Sequence, residues 1–475
     1  MNPKNTIMPD TNSEADTVSM TTEGDGGEED IPDLVPIEEQ SRDEYFASYE
    51  DVEIHRLMVN DVPRTTAYRD AIYKNKHLFK DKIVMDVGAG TGILSLFMAS
   101  AGAKKVYAVE ASGMAQVIQQ VARDNGFSDI IQVFHKRVED IILPEEEKVD
   151  VIVSEWMGFY LLHESMLNSI IIARDTFLSD EGTVFPSEAR IYAAPCSLKS
   201  LYSEQINFWD NVYGFNMNSV KQYALRSKMI KPEVCLVPED DLLANPTCIK
   251  TFNLRWITEE ELRLFTETTF IAIARAGNYQ GLCLWFECDF DGRDYDEEGK
   301  EFGTVVTLST APSSPSTHWK QTVVVLGYIS EPESAPSHNN DSQEIELTCN
   351  EGHPAPHSQD EGHSEACGNT SNINNGSDEG KQKSNEQNQT VETSNVEYGI
   401  YKDYKVDVDE VVGWKIALCQ SDDNVRHYTM TVEMLDPEVE EHPMPCQCPM
   451  PRCLIISKMI EKEDMEADDD IIDCT

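Results

Sequence analysis

The chain has 475 residues, of which 40% are hydrophobic, which is enough for a sizeable core and for more than one domain, and its formal net charge is −48. Most of this charge falls in three acidic segments, 1–40, 331–397 and 436–475, which argues against direct nucleic-acid binding and for a basic partner. No apolar run reaches the length of a membrane span, so no membrane partner is expected. The N-terminus lacks the pattern of a secretory signal, and the 12 scattered cysteines indicate reduced thiols, so we expect the nucleus or the cytoplasm.

The first half of the chain alternates strand and helix patterns. The acidic stretch 1–40 lacks apolar periodicity and is predicted to be disordered, and a helix follows up to Pro63, which should end or kink it. The predicted strands are 83–90, 105–112 and 149–155, and the predicted helices are 91–102, 113–124 and 165–182. This order predicts an α/β domain over 41–185 with a parallel sheet that is covered on both faces.

After Pro186 the pattern becomes that of an antiparallel β domain, either a sandwich or a barrel. Strand-like segments with few helices between them lie at 190–195, 281–290, 304–310, 320–329, 411–419 and 426–434. Residues 331–395 are rich in Ser, Asn, Glu and Gln and contain no Arg, so they are predicted to be a disordered insertion. The β domain is therefore predicted to span 186–330 and 396–435, and residues 436–475 are predicted to form a disordered acidic tail.

The sequence VMDVGAGTG places three glycines between a predicted strand and a predicted helix. Gly88, Gly90 and Gly92 would let the backbone approach a ligand closely, although a plain tight turn has the same pattern. The spacing differs from the dinucleotide fingerprint, and Asp86 would repel a pyrophosphate. Glu110, at the end of the next strand, is placed to accept hydrogen bonds from ribose hydroxyls, unless it is a solvated strand end. A nucleoside without phosphates fits both acids, which favours S-adenosylmethionine (SAM) as the cofactor.

The stretch SEWMGFYLLHESM, from Ser154 to Met166, holds two glutamates in an apolar and aromatic setting. Carboxylates that lose their hydration require a partner, so Glu155 and Glu164 are expected to bind a cation. Glu164 could instead cap the helix that is predicted to follow it. We call this stretch the double-glutamate loop.

These motifs together resemble the protein arginine N-methyltransferase family, in its asymmetric-dimethylating (type I) class. The resemblance covers roughly 45–330 and 396–435, and it rests on VMDVGAGTGILSLF, AVEAS, the double-glutamate loop, STHWKQTV and YFASY with the IH and RT that follow it. The LLHES form of the loop is most similar to the small nuclear member of the class. The resemblance implies a Rossmann-like SAM-binding domain and a β-barrel domain with a helical dimerisation arm near 198–225, including the aromatic segment 206–217. It also implies a head-to-tail homodimer.

The resemblance further implies a reaction and its catalytic residues. Histone tails and other Arg/Gly-rich basic proteins would be methylated to monomethylarginine and then to asymmetric dimethylarginine. Glu155 and Glu164 would bind the substrate guanidinium, whose planar donors match two carboxylates. His318 would pair with Asp61, and this dyad would receive the proton that the guanidinium loses.

The other implied site residues divide between cofactor and substrate. Those that would bind the cofactor are His55, Arg64, Asp86, Gly88, Gly90, Glu110 and Glu139, with Arg64 on the methionine carboxylate and Glu139 on the adenine amino group. Those that would position the substrate are Tyr49, Met58, Met166 and Trp319, with the two methionines beside the methyl group.

The chain departs from the family pattern in its N-terminal helix. Two acids of the usual H-E-E-M are replaced by Arg56 and Leu57, Ala47 stands where an Asp is common, and Pro63 precedes Arg64. These changes bear on cofactor affinity and lid closure more than on reaction type. They suggest an alternative function, a catalytically weak scaffold that binds Arg-rich partners. A methyltransferase for a small molecule or RNA is a third hypothesis, and the acidic charge disfavours RNA.

Three cysteines near the C-terminus, Cys446, Cys448 and Cys453, have the spacing C-x-C-x4-C. Thiolates are common zinc ligands, but structural zinc sites have four ligands, and this spacing lacks a fourth. The sequence therefore predicts no metal site.

Overall fold

The computed structural model describes residues 51–144, 147–327, 329–330, 344–347, 400–401, 404–444, 446 and 448–460. The predicted disordered N-terminus, Ala47, Tyr49, most of the predicted insertion and residues 461–475 lie outside these residues. Within the described ranges, no helix is long and apolar enough to cross a membrane.

The first domain is built on a five-stranded parallel sheet in the order β3-β2-β1-β4-β5. Its strands are β1 (Ile83–Val87), β2 (Lys105–Glu110), β3 (Ile131–His135), β4 (Val149–Val153) and β5 (Leu178–Phe185). Its helices are α1 (Val52–Asn60), α2 (Val62–Lys74), α3 (Ile93–Ala101), α4 (Met114–Asp124) and α5 (Leu167–Phe177). Because β1, β2 and β4 are buried along nearly their whole lengths, both faces of the sheet are covered, as predicted.

The second domain consists mainly of two antiparallel sheets, as the β pattern predicted. One has the order β7-β15-β11-β6-β8 with β14 also paired to β11, and the other has the order β17-β21-β20-β9. The strands of these sheets are β6 (Glu188–Cys196), β7 (Glu233–Cys235), β8 (Thr247–Asn253), β9 (Leu264–Ala272), β11 (Gly281–Asp291), β14 (Val305–Ser309), β15 (Gln321–Val325), β17 (Glu344–Leu347), β20 (Val411–Gln420) and β21 (Tyr428–Leu435). Short two-stranded pairs are formed by β10 (Gly277–Asn278), β12 (Asp294–Tyr295), β13 (Glu301–Phe302), β16 (Ile329–Ser330), β18 (Ile400–Tyr401) and β19 (Lys405–Val406).

Short helices lie in the region predicted to be a dimerisation arm. They are α6 (Lys199–Leu201) and α7 (Lys221–Lys228), and turns of π and 3-10 helix lie between them. A further short helix, α8 (Glu259–Arg263), precedes β9. The arm exposes large aromatic side chains: Tyr213 is 97% exposed, and Phe208 and Phe215 are also largely exposed. Contiguous exposed apolar groups of this kind mark interaction surfaces.

The structure differs from the predicted elements of the first domain in three places. Helix α2 (Val62–Lys74), which follows the predicted break, was not predicted. The helix predicted over 165–182 ends at Phe177, and the chain continues as β5. Gly182 therefore lies in a strand, where a side chain on it would come within 2.9 Å of the Asp150 backbone oxygen in β4. Strand β3, a partly exposed strand at the edge of the sheet, was also not predicted.

Two further differences concern segments that were predicted to be disordered. Strand β17 lies inside the predicted insertion and pairs with β21, because its alternating acidic and apolar residues suit an edge strand. Residues 451–460, inside the predicted acidic tail, form a helix, since the apolar residues of this stretch precede the acidic run.

Candidate active site

The carboxyl ends of β1, β2 and β4 meet at one edge of the parallel sheet, where the strand order reverses between β1 and β4. Ligands of doubly wound α/β folds bind at this reversal. The loop that carries Gly88, Gly90 and Gly92, which we call the glycine loop, follows β1. Glu110 ends β2, and the double-glutamate loop follows β4. The topology therefore brings three motifs together that the sequence analysis had identified separately.

The glycine loop has a conformation that requires glycine. Gly88 and Gly90 have φ angles of +72° and +53°, in the left-handed region. A Cβ atom on Gly88 would lie 2.5 Å from the Met166 methyl carbon, and one on Gly90 would lie 3.2 Å from the His55 ring. Side chains from α1 and from the double-glutamate loop therefore pack directly against these glycines, and a side chain at either position would displace them.

Two acids lie beside this loop, and only Glu110 bonds to it. Glu110 accepts the Gly90 N–H with Oε2 and the Ser112 N–H with Oε1, both at 2.8 Å. Asp86 is fully buried, and its Oδ2 accepts the Ser95 hydroxyl at 2.6 Å, whereas its Oδ1 has no partner among the described residues. Burial raises the pKa of Asp86 to about 7, although the hydrogen bond from Ser95 opposes this rise.

In this structure the cationic partner of Glu155 is Arg64. Glu155 Oε2 accepts hydrogen bonds from Arg64 Nη2 at 2.7 Å and Nε at 3.1 Å, and its Oε1 accepts the Met157 N–H at 3.2 Å. Arg64 Nη1 donates to the Met58 carbonyl at 3.1 Å. The two charged side chains are only 7% and 9% exposed, so each neutralises a charge that would otherwise be buried alone.

Glu164 is in a different setting from Glu155. Its side chain is exposed and accepts no hydrogen bond from the part of the chain that the structure describes, while its N–H donates to the Arg426 carbonyl at 2.7 Å. Helix α5 begins at Leu167 after Met166 as N-cap, so the alternative role of Glu164 as a helix cap is wrong.

Left-handed φ angles at residues other than glycine recur in the double-glutamate loop, at Tyr160 (+40°), Leu161 (+80°) and Glu164 (+64°). Backbone strain of this kind persists where the surrounding fold enforces it, and it concentrates at functional sites.

The predicted pair of His318 and Asp61 is present. Asp61 Oδ2 accepts both the His318 backbone N–H and ring Nδ1 at 2.7 Å, and Oδ1 accepts the Arg64 N–H at the start of α2 at 3.1 Å. Burial alone would raise the pKa of Asp61, but these hydrogen bonds outweigh it and lower the pKa, so the carboxyl is ionised at neutral pH. Trp319 Nε1 donates to the Met157 carbonyl at 3.2 Å. This bond connects the loop that carries His318 and Trp319 to the double-glutamate loop.

The remaining predicted residues surround this centre. His55 is buried on α1, and the partly buried Met58 lies one turn further along. Glu139 lies in a short 3-10 turn after β3 and accepts the Ser169 hydroxyl of α5 at 2.7 Å.

Three of the departures from the family pattern, Arg56, Leu57 and Pro63, lie among the described residues. Arg56 is exposed and pairs with Glu53 at 2.6 Å, and Leu57 is half exposed. Pro63 lies in the first turn of α2, where proline is tolerated. The predicted break at Pro63 occurs between α1 and α2, at Asp61.

One group of potential ligands lies outside this centre. The structure places His442 with Cys446, Cys448 and Cys453, and it supplies the fourth ligand that the sequence analysis did not find. The sequence carried this signal as well, since His442 precedes Cys446 by only four residues.

Comparisons with known proteins agree with this architecture. A family model described as the arginine methyltransferase oligomerization subdomain matches residues 187–360, and one for ribosomal protein L11 methyltransferase matches residues 70–169. The chain is 43% identical over 287 residues to protein arginine N-methyltransferase 2 of Mus musculus, covering 60% of this chain and 62% of that protein. It is 40% identical over 311 residues to protein arginine N-methyltransferase 1 of Caenorhabditis elegans, covering 65% of this chain and 85% of that protein. The chain thus spans less than two thirds of the mouse relative.

Among solved structures, a Trypanosoma brucei enzyme–prozyme heterotetrameric complex with AdoHcy matches with a TM-score of 0.58 and 28% identity, covering 83% of this chain and 98% of that one. Arabidopsis thaliana protein arginine methyltransferase 10, in an open conformation, matches with a TM-score of 0.58 and 25% identity. The match covers 84% of this chain and 97% of that one.

Proposed function

The chain belongs to the protein arginine N-methyltransferase family, and from this premise we propose that it transfers methyl groups from SAM to arginine side chains of basic proteins. The products would be monomethylarginine and then asymmetric dimethylarginine. Histone tails and other Arg/Gly-rich proteins are the proposed substrates, and the net charge of −48 would attract them.

The observation that carries this proposal is the guanidinium that lies on Glu155. Arg64 demonstrates that the carboxylate accepts a guanidinium through two nitrogens, at 2.7 and 3.1 Å, in a nearly water-free setting. A carboxylate offers about four acceptor positions, and three are in use, so a second guanidinium can share this group. Glu164 adds a second, exposed negative charge in the same loop.

The residues at the glycine loop fit SAM. Gly88 and Gly90 lack side chains, so the backbone beside His55 and Met166 can lie close to a ligand. Glu110 retains lone pairs beyond the two that bind backbone N–H groups. His55, Arg64 and Glu139 are the further proposed contacts. When bound, SAM would supply an electrophilic methyl group, and the AdoHcy of the Trypanosoma brucei complex is what such a donor leaves behind.

The residues of the chain would prepare the substrate nitrogen. A guanidinium is a poor nucleophile because its lone pairs are delocalised over three nitrogens. Glu155 and Glu164 would draw the positive charge towards the nitrogens that they contact and leave the remaining nitrogen more nucleophilic. They would also fix its orientation, which accounts for several kcal/mol of many barriers.

The dyad would take the proton that is lost when the nitrogen–methyl bond forms. With Nδ1–H donating to ionised Asp61, Nε2 of His318 carries the lone pair that can accept this proton. Trp319, Met58 and Met166 would position the substrate, and the flexible methionines would leave room for a second methyl on the same nitrogen.

We also propose that the protein acts as a homodimer inside the cell, in the nucleus or the cytoplasm. The exposed aromatic groups of the arm at 198–225 and the match to an oligomerization subdomain support the dimer. The cysteines of the described ranges are unpaired, as expected in a reducing compartment.

The alternative is a catalytically weak scaffold that binds Arg-rich partners, which the replacements Arg56 and Leu57 on α1 suggested; both side chains are exposed. The test is to incubate the protein with labelled SAM and an Arg/Gly-rich peptide, with the same peptide carrying Lys for Arg as the control. We expect label in the arginine peptide and none in the lysine peptide. Binding of the peptide without label transfer would favour the scaffold and overturn the proposed activity.

A further inference from the structure

A cluster of one histidine and three cysteines lies in the segment 436–460, apart from the centre described above. The sequence HPMPCQCPMPRC supplies the four side chains within 12 residues, with the spacing H-x3-C-x-C-x4-C. We propose that His442, Cys446, Cys448 and Cys453 bind one zinc ion, which fastens this C-terminal segment to the β domain.

The four potential ligand atoms already have the spacing of a coordination shell. His442 Nδ1 lies 3.1 Å from Cys453 Sγ, 3.3 Å from Cys448 Sγ and 3.5 Å from Cys446 Sγ, and all four atoms lie within 4.8 Å of one another. Zinc bonds of about 2.3 Å to sulfur and about 2.0–2.1 Å to nitrogen set the corners of a tetrahedron about 3.5–3.8 Å apart. The observed cluster is close to this size.

Hydrogen bonding does not explain why three cysteine sulfurs lie so close to the His442 ring. His442 Nε2 lies 3.0 Å from the Pro437 carbonyl, which can only accept, so the proton is on Nε2 and the Nδ1 lone pair faces the sulfurs. One lone pair can accept a hydrogen bond from one thiol, yet three sulfurs lie within 3.5 Å of it. A carbonyl that binds the distal nitrogen is the usual support of a metal-bound histidine.

The surroundings hold the ligands in place. The His442 ring stacks on Phe270 of β9 at 3.6 Å with an interplanar angle of 9°. The Cys448 N–H donates to Cys446 Sγ at 3.5 Å, as backbone groups do for thiolate ligands. Cys448 and Cys453 are fully buried and His442 is 5% exposed. Four protein ligands leave no open position, so the site would be structural rather than catalytic.

The segment contains little else that would hold it on the protein. In the 451–460 helix, Leu454, Ile455 and Met459 are between 49% and 61% exposed. The apolar cluster at this place is small, with Phe270, Cys448 and Cys453 as its buried members. A segment with so small a core needs a staple, and a set of three thiolates and one imidazole favours zinc among the common cellular metals.

The test begins with the metal content of untagged, full-length protein purified under reducing conditions without chelator. We expect about one zinc per chain by elemental analysis, consistent with the tight binding of structural zinc sites. Cys448→Ser and Cys453→Ser should lower the zinc content at least about fivefold, and His442→Cys should retain it because a four-cysteine set also binds zinc. Cys248→Ser and Cys419→Ser, which remove exposed cysteines outside the cluster, serve as matched controls and should leave it unchanged.

Two measurements on the unaltered chain apply even if the serine variants fold poorly. Cobalt(II) should give the visible bands of a tetrahedral thiolate site, and chelation should speed tryptic cleavage after Arg452 and Lys458 without changing SAM binding. Wild-type protein that takes up neither zinc nor cobalt under reducing conditions would overturn the proposal. So would a disulfide among the three cysteines in the purified chain, or zinc content equal in wild type and in Cys453→Ser.

Discussion

Glutamine substitutions at Glu155 and Glu164 should affect stability differently although they affect catalysis alike. Glu155→Gln keeps the shape of the side chain and removes the charge that Arg64 contacts at 2.7 and 3.1 Å. Removing one partner of a buried ion pair costs about 3–5 kcal/mol, and the amide oxygen can still accept one of the arginine N–H groups. We therefore expect a loss of about 2–4 kcal/mol, which lowers Tm by at least about 5 °C.

Glu164→Gln should leave Tm nearly unchanged. Glu164 is exposed and makes no ion pair within the described residues, and substitutions of this kind usually stay within about 0.5 kcal/mol. Each variant should nevertheless lower kcat at least about a hundredfold, by analogy with the loss of an electrostatic stabiliser.

The assay is differential scanning calorimetry of the ligand-free protein at neutral pH, paired with initial rates of label transfer to an Arg/Gly-rich peptide. Glu181→Gln, which alters an exposed glutamate on β5, controls for the general effect of removing a charge. An unchanged Tm in Glu155→Gln would show that this carboxylate does not hold Arg64. Near-normal turnover in either variant would refute the assignment of that glutamate to the guanidinium.

Three further predictions concern the fold and the cofactor. Asp86→Asn should stabilise the protein above pH 7 by a few kcal/mol at most and change its stability little near pH 4. The pKa of Asp86 is about 7 in the folded protein and about 4 in the unfolded chain, so the contribution of Asp86 to stability is fully present below about pH 4. This contribution is lost as the pH rises through about 7, where the buried carboxyl ionises, whereas an amide does not ionise. Parallel curves of Tm against pH for variant and wild type would contradict this. Glu110→Ala should weaken SAM binding by about 1–3 kcal/mol in a calorimetric titration, and an unchanged Kd would exclude a role for Glu110 in holding the ribose. Deleting 351–395 should preserve Tm, since loop length affects stability slowly, whereas deleting 331–395 also removes β17 and should lower it. Equal Tm values for both deletions would show that β17 contributes nothing, and a fall on the shorter deletion would mean that 351–395 packs on the β domain.

The elements that sequence predicted best are those fixed by local pattern. The strand predicted over 83–90 is Ile83–Val87, and the helix predicted over 91–102 is Ile93–Ala101, because a buried apolar run and the glycines that follow it are specified within one short stretch. The end of α5 was predicted wrongly because only a local pattern was available for it. Gly182 has the local pattern of a helix stop, whereas its role in β5 depends on Asp150 of the neighbouring strand.

Local patterns in the sequence pointed to the residue types of the candidate site but not to its pairings. Desolvation of Glu155 called for a cation, yet the cation in this structure is Arg64, 91 positions earlier in the chain. The pair of Asp61 and His318, 257 positions apart, was anticipated through family resemblance and not through any local signal. Such contacts depend on tertiary folding, which spacing along the chain does not encode.

The most direct test of the proposed function is the identity of the methylated product. After incubation with labelled SAM and an Arg/Gly-rich peptide, acid hydrolysis and chromatography separate monomethylarginine, asymmetric dimethylarginine and symmetric dimethylarginine. We expect label to appear first in monomethylarginine and then in asymmetric dimethylarginine. Symmetric dimethylarginine as the main product would contradict the assignment to the asymmetric class, and the absence of labelled arginine derivatives would contradict the proposed activity itself.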